Sequence, residues 1–233
     1  MKKSSLLAVS LASLVGLVGC NNQGGGSSKH AKASPASFDK FCSDALERWN
    51  NGEYTLPRTG TFTYSFKYNC DGYYVDELGN NPSGSGSFSF GVVLGEDDDG
   101  DFIWLPDPEE GWESEEEYDA AKEYLDDACF TLEYFWAPWM YTDMGSLIAE
   151  IFADYNPQFY SNPNSFSLTQ QGSGRSEGIK YEYKDVQEFF YAPGCALLVG
   201  WSDTYDESVS GAATGKLHSE DSAVLVYDFF TEE

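Results

Sequence analysis

The chain has 233 residues, 39 Asp and Glu against 13 Lys and Arg, and a formal charge of −26. That balance excludes a nucleic-acid partner, which needs clustered Lys and Arg, and docking on anionic lipid through a basic face. With 41% apolar and 16% aromatic residues, the chain has material for one packed domain and is not a disordered acidic polymer.

Lys2 and Lys3 precede an apolar run from Leu6 to Val18, broken only by Ser and Gly. At about 13 residues and 1.5 Å per residue it is too short to cross roughly 30 Å of hydrocarbon, and its length suits the core of a signal peptide. The run ends in Leu17-Val18-Gly19-Cys20, which resembles the lipobox of bacterial lipoproteins. The resemblance implies that residues 1–19 are a signal peptide removed before Cys20. Cys20 would then carry a diacylglyceryl thioether and acyl chains of the palmitate kind. Two or more such chains anchor stably where one is marginal. The expected location is the extracytoplasmic side of the cell membrane or outer membrane, with the membrane a partner through the lipid on Cys20. Cleavage removes two lysines and no acid, so the charge moves from −26 to −28. Residues 20–36, rich in Gly and Ser, read as the lipidated Cys and a flexible tether. Residues 37–233 read as a single extracytoplasmic domain.

Ser34-Pro35 has the form of an N-cap followed by a first-turn proline. Phe38, Phe41, Ala45 and Trp49 follow at helical spacing, and Asn50-Asn51-Gly52 stops the helix. From Thr61 to Tyr68 the period changes to two, with Phe62, Tyr64, Phe66 and Tyr68 on one face. Asn69-Cys70-Asp71-Gly72 reads as a turn, with Tyr73-Tyr74-Val75 as a return strand. Asn80 to Gly86 reads as a loop. Phe88, Phe90, Val92 and Leu94 then share a strand face, and Phe102 to Leu105 forms a short strand beyond the acidic turn 96–101. Ser114 and Glu117 have capping-box spacing. Tyr118, Ala121, Leu125, Cys129 and Leu132 mark the buried stripe of the helix that follows, which Pro138 ends. A second helix spans Met144 to Tyr155, with Leu147, Ile148, Ile151 and Phe152 as its apolar positions. Strands return at 165–170, 179–183, 186–191, 196–201 and 223–230. The segments 171–177 and 203–221 read as hairpin loops. Strand runs with segregated helices predict an α+β fold, a curved antiparallel sheet packed against two or three helices.

Few constellations carry chemistry. His30 and His218 are the two histidines; one lies in the tether and the other in a polar stretch, so histidine-based hydrolysis is not expected. There is no CxxC and no HExxH, so no zinc site is expected. Asp97-Asp98-Asp99-Gly100-Asp101 fails as an EF-hand, because positions one and twelve would be Gly95 and Pro106. It reads as a solvated acidic turn. No catalytic residue, cofactor or metal is expected. Cys42, Cys70, Cys129 and Cys195 remain after lipidation. They allow three disulfide pairings in an exported chain, while Cys129 on a buried stripe also suits a free thiol. The densely aromatic stretch 130–141 reads either as core or as a binding surface. In the second reading Trp136, Trp139 and Met140 line a groove for a hydrophobic ligand or a protein partner. Glu110 and Glu113 with Trp104 and Trp112 make the best sugar-facing patch, the basis of an alternative carbohydrate-binding or hydrolysing role.

The order of helix, aromatic strands, inserted helices and further strands behind a lipobox resembles the half-barrel lipoprotein carriers of the LolA and LppX type. Tyr181 to Trp201, an aromatic strand, a Pro-Gly turn and an apolar strand, carries the likeness, which extends over roughly residues 38 to 230. It implies a non-enzymatic protein that holds a hydrophobic ligand between sheet and helices.

Overall fold

The computed structural model describes residues 31–53, 57–75, 81–96, 102–135, 142–192 and 194–227, and the side chains among them except at 96, 102 and 126–135. Its first element is a two-residue strand, β1 (Lys32–Ala33). Helix α1 (Pro35–Asn50) follows at once, with Ser34 as N-cap accepting from the Ser37 N–H at 3.1 Å. The stretch expected to be tether as far as Ala36 is therefore part of the fold from Lys32 onward. Backbone pairing to a later strand, β5 (Gln158–Ser161), holds it, with Lys32 opposite Tyr160 and Ala33 opposite Phe159.

The remaining strands are β2 (Thr59–Cys70), β3 (Ser83–Glu96), β4 (Phe102–Pro106), β6 (Asn164–Ser176), β7 (Ile179–Tyr191), β8 (Leu198–Gly211) and β9 (Gly215–Tyr227). They form one nine-stranded sheet in the order β1-β5-β6-β7-β8-β9-β2-β3-β4. Every pairing is antiparallel. The fold is α+β: among the described residues, a curved, unclosed antiparallel sheet with three α-helices.

Alternation fixes which face is buried. Phe62 and Tyr64 on β2, Phe90 and Val92 on β3, Phe166 and Leu168 on β6, Phe189 on β7, Trp201 on β8 and Leu225 on β9 are all buried on the inner face. Helices α1, α2 (Glu115–Phe135) and α3 (Met144–Ile151) cover that face. Phe38 of α1 meets Phe159, Phe166 and Tyr191 at ring separations of 5.5, 6.0 and 5.3 Å. Tyr124 of α2 lies 4.9 Å from Phe88 and 5.9 Å from Tyr64. Helix α3 packs on α1, where Asp39 accepts from both the backbone N–H (3.0 Å) and the hydroxyl (2.5 Å) of Ser146. Of the four apolar positions expected to bury α3, Ile148 is buried, while Ile151 is 62% exposed because the helix ends there. The expected cap of α2 is present: Ser114 Oγ accepts from the Glu117 N–H at 3.1 Å, and Glu117 reaches back to the Glu113 N–H at 2.8 Å.

Three expected loops are strand instead. Residues 83–86 belong to β3, 171–176 to β6, and 203–211 with 215–221 to β8 and β9. Their Gly- and Ser-rich composition misleads because aromatic rings from the neighbouring strand lie over the glycines. A Cβ on Gly84 would come within 2.9 Å of the Tyr68 ring, and one on Gly86 within 2.8 Å of Phe66. Gly172 and Gly174 sit in the same way under Tyr183 and Tyr181. The rings supply the packing that glycine lacks in a strand. The β6–β7 turn is only Glu177-Gly178, both at positive φ (51° and 82°), as a two-residue hairpin of the primed kind needs. Conversely, the return strand expected at 73–75 is a single 3-10 turn, Gly72–Tyr74. Its Tyr73 N–H bonds to the Thr214 carbonyl, so this segment closes the end of β9 rather than starting a hairpin.

Candidate functional site

Amid its aromatic rows the inner face also carries acids. On β8, Trp201 is followed two residues on by Asp203, and on β9, Ala223 is preceded by Asp221. Asp203 and Asp221 are direct cross-strand partners, and Asp185 of β7 sits diagonally to Asp203, opposite Tyr205. Asp203 is 6% exposed and Asp221 8%. Like charges placed opposite one another repel, and burial penalises the ionised form. Burial first, then a hydrogen bond and charge from Asp185 and the charge of Asp221, push the Asp203 carboxyl up to about 9. Burial raises Asp221 to about 7, against the opposing hydroxyl of Tyr64, which donates at 3.4 Å. Tyr205 donates to Glu207 at 2.6 Å, and burial followed by that carboxylate raises its own pKa. Oδ1 of Asp203, Oδ1 of Asp185 and Nε1 of Trp201 have no protein hydrogen-bond partner.

Burial thus favours the protonated forms of Asp203 and Asp221. This acid band cannot readily act on a polymer, since its two central acids are almost wholly covered. Among the described residues no group of three or more His, Cys, Asp or Glu is arranged to hold a metal ion. None of the three aspartates stood out in the sequence. The available signal was parity: Asp203 keeps step with Trp201, and Asp221 with Ala223 and Leu225, on the buried side.

The residues singled out from the sequence fare differently. Cys20 and the trio Trp136, Trp139 and Met140 lie outside the described residues, as does the acidic turn 97–101. The sugar-facing patch does not form. Trp104 is 4% exposed and packs on Tyr227 at 5.6 Å. Trp112 stands edge-on to Phe90 and Tyr118, its indole N–H donating to the Asp107 carbonyl. Glu110 accepts the Gly91 N–H at 2.5 Å. Cys42, Cys70 and Cys195 are each buried and free. Burial and then Asp39 push the Cys42 thiol up to about 12. His218 is on the outer face, between Asp206 (2.8 Å) and Glu220 (2.9 Å), with Lys67 on the far oxygen of Glu220 at 2.7 Å. Those two hydrogen bonds raise its pKa. The result is a cross-strand ion ladder rather than a catalytic base beside a nucleophile.

The edge of β3 is the other distinctive surface. At Gly91 both backbone groups point away from β2: the carbonyl accepts from Asp107 and the N–H donates to Glu110. By the two-residue period of a strand, Ser83, Ser85, Ser87 and Ser89 point theirs the same way. β4 pairs only with 92–96, so among the described residues this four-serine edge has no strand beside it. The serine side chains are exposed on the outer face. There Ser87 and Ser89 bond back to the carbonyls of Tyr64 and Phe62 at 3.1 and 2.9 Å.

Fold and surfaces together define an α+β protein built on an open antiparallel sheet, with an acid band inside and a serine edge that has no strand beside it among the described residues. No family model matches the chain, and no curated protein or solved structure matches it. Among the described residues no helix is long and apolar enough to cross a membrane.

Proposed function

We propose that the chain is a membrane-anchored extracytoplasmic lipoprotein, held by lipid on Cys20, that acts as a non-enzymatic binding protein for a protein partner. The observation that supports a protein partner is the Ser83–Ser89 edge, with four outward pairs of backbone donors and acceptors and, among the described residues, no strand beside them. Such an edge takes up an extended segment of another chain by strand addition. A hydrophobic ligand between sheet and helices is less favoured. Phe38, Phe159, Phe166, Phe189 and Tyr191 pack on one another at 4.8–6.3 Å where the curvature of the sheet would otherwise leave room. The surface depression of about 390 Å³ beside α1 has a mixed lining, Lys40, Asp44 and Arg48 together with Phe41 and Ala45. A glycan role is less favoured too, because Trp104 and Trp112 serve packing.

The test is photo-crosslinking in intact cells, with a photoreactive residue at position 85 of the full-length chain. A protein adduct from position 85, absent from a control at position 173 on β6, is expected. The parent incorporates labelled fatty acid and Cys20→Ala does not. Absence of any protein adduct at position 85 overturns the edge-binding reading. Equal labelling of the Cys20→Ala variant overturns the anchor.

A further inference from the structure

We infer that the strand added along β3 is β3 of a second copy of this chain, paired antiparallel about a two-fold axis through Gly86. The inference rests on the edge-binding reading above and specifies its partner.

The limits of the free edge set the register. At one end Gly91 is engaged by Asp107 and Glu110. At the other end β3 begins at Ser83, so Asn81, the next residue of outward parity, lies before the strand. Among the described residues of β3, Ser83, Ser85, Ser87 and Ser89 are left to pair. One antiparallel register uses all four on both copies: Ser83 opposite the second copy's Ser89, and Ser85 opposite its Ser87, each occurring twice. A shift by one pair would bring Gly91 or Asn81 into the ladder and leave serines unmatched.

The side chains fit that register. On the outer face it places hydroxyl opposite hydroxyl, as the β2–β3 ladder already does at Thr63–Ser89 and Ser65–Ser87, both 2.9 Å. Such pairs favour a ladder. On the inner face Gly86 meets Gly86 on the axis, where β strands approach most closely, and Gly84 faces Phe88. A side chain at 86 would already collide with Phe66, so the axis stays clear for the same reason the strand stays flat there.

Charge selects a like partner. A chain at −26 repels its own copies wherever acids confront each other. The stretch 83–91 reads SGSGSFSFG, without one charged residue in a chain that is 22% charged. The other edges carry ordinary protection: β1 is two residues long, β4 is five and ends in Pro106, and the open part of β6 carries Arg175. A two-fold pairing of β3 also closes on itself, so it yields a dimer and no fibre.

The experiment uses the full-length, lipid-bearing chain in membranes. Ser87→Cys is the reporter, because across this axis the two copies' residues 87 lie diagonally, about 7–8 Å apart, within a short bis-maleimide's span. The expected product is a covalent dimer of twice the chain mass, containing both tags when two tagged forms are co-produced. Adding Ser85→Pro removes an outward N–H that β2 does not use. It should lower the dimer yield at least tenfold while leaving the melting temperature unchanged within about 2 °C. If that variant melts early, Ser85→Glu with Ser87→Glu serves instead in the photo-crosslinking format from Ser83, placing like charges across both pairs. Ser173→Cys on β6 should give no dimer. An adduct of any other mass overturns the second-copy inference while leaving the edge-binding reading intact. No adduct from position 83, 85 or 87 overturns both. A dimer insensitive to Ser85→Pro overturns the register and with it the inference.

Discussion

Asp203→Asn probes the acid band, because it removes one titration and little else. In the unfolded chain Asp203 releases its proton near its ordinary value of 3.8; in the fold it holds it to about 9. Between those limits the folded state keeps a proton that the unfolded state has lost, so rising pH favours unfolding. One such group contributes a slope of about 1.4 kcal/mol per pH unit. For a domain of this size that lowers Tm by roughly 3–6 °C per unit. Asp221, raised to about 7, acts in the same direction below neutrality. So does His218, whose raised pKa gives stability that is present in acid and lost as pH rises through it. The asparagine keeps the size of the side chain and an N–H donor toward Asp185. The assay is thermal unfolding of parent and variant from pH 5 to pH 9 at constant ionic strength. The parent's Tm should fall throughout. The variant should gain on the parent steadily as pH rises from 5 to 9, because Asp221 and His218 titrate in both and only the Asp203 contribution is removed. Parallel curves, or a parent that gains stability with pH, would refute the reasoning.

Three further outcomes follow from packing. Leu225→Ala, at a fully buried site opposite Phe62, should destabilise by about 2–5 kcal/mol in urea unfolding. Gly145→Ala gains about 1 kcal/mol in helix propensity, yet its Cβ would lie 2.3 Å from the Pro35 carbonyl oxygen. The backbone clash wins, and a net loss of roughly 1–3 kcal/mol is expected in the same assay. Maleimide labelling without reductant should leave Cys42 unmodified in the native chain at pH 8, and modify Cys42, Cys70 and Cys195 once the chain is unfolded. A disulfide joining any two of these three would contradict the structure.

What could be read from the sequence was whatever local chemistry decides. Ser34-Pro35 at the start of α1, the Ser114–Glu117 cap of α2 and the alternation at Phe62–Tyr64–Phe66 and Phe88–Phe90–Val92 each depend on neighbours within a few residues, and each is present. The ribbon β6–β9 was legible only in part: the strands read at 165–170, 179–183 and 186–191 lie within β6 and β7, while 171–176 was not, because its glycines are strand residues only once Tyr181 and Tyr183 cover them from the next strand. Its polar stretch 203–221 has little apolar alternation to announce a strand, and pairing with its neighbours, backbone and side chain, holds it. The site was hidden for the same reason. Asp203 and Asp221 read as loop acids until the register sets them opposite one another on the buried face. Of the serine edge, 87–89 reads as strand and 83–86 as loop for its Gly and Ser; that it has no neighbour among the described residues is a property of the sheet order, which no local pattern encodes.

That sheet order bears on how an anchored chain could pair. β1 lies at one edge and β3 beside the other, seven strand spacings apart, or about 34 Å at roughly 4.8 Å each before twist shortens the span. The anchor proposed at Cys20, which precedes β1 in the chain, would hold the sheet by the side away from the serine edge. A two-fold axis between two antiparallel β3 strands stands normal to the sheet, so both copies keep their helices on one side and both Lys32 residues at one height. Set along the membrane normal, that axis lets two lipid anchors enter the same leaflet without strain. Confinement to one surface raises the effective concentration of each copy for the other, so an edge of four serines can suffice where it would not in dilute solution. The Cys20→Ala form, released from the membrane, should accordingly give far less Ser87→Cys dimer than the anchored form at equal total amount. Equal yields would show that pairing draws nothing from the anchor.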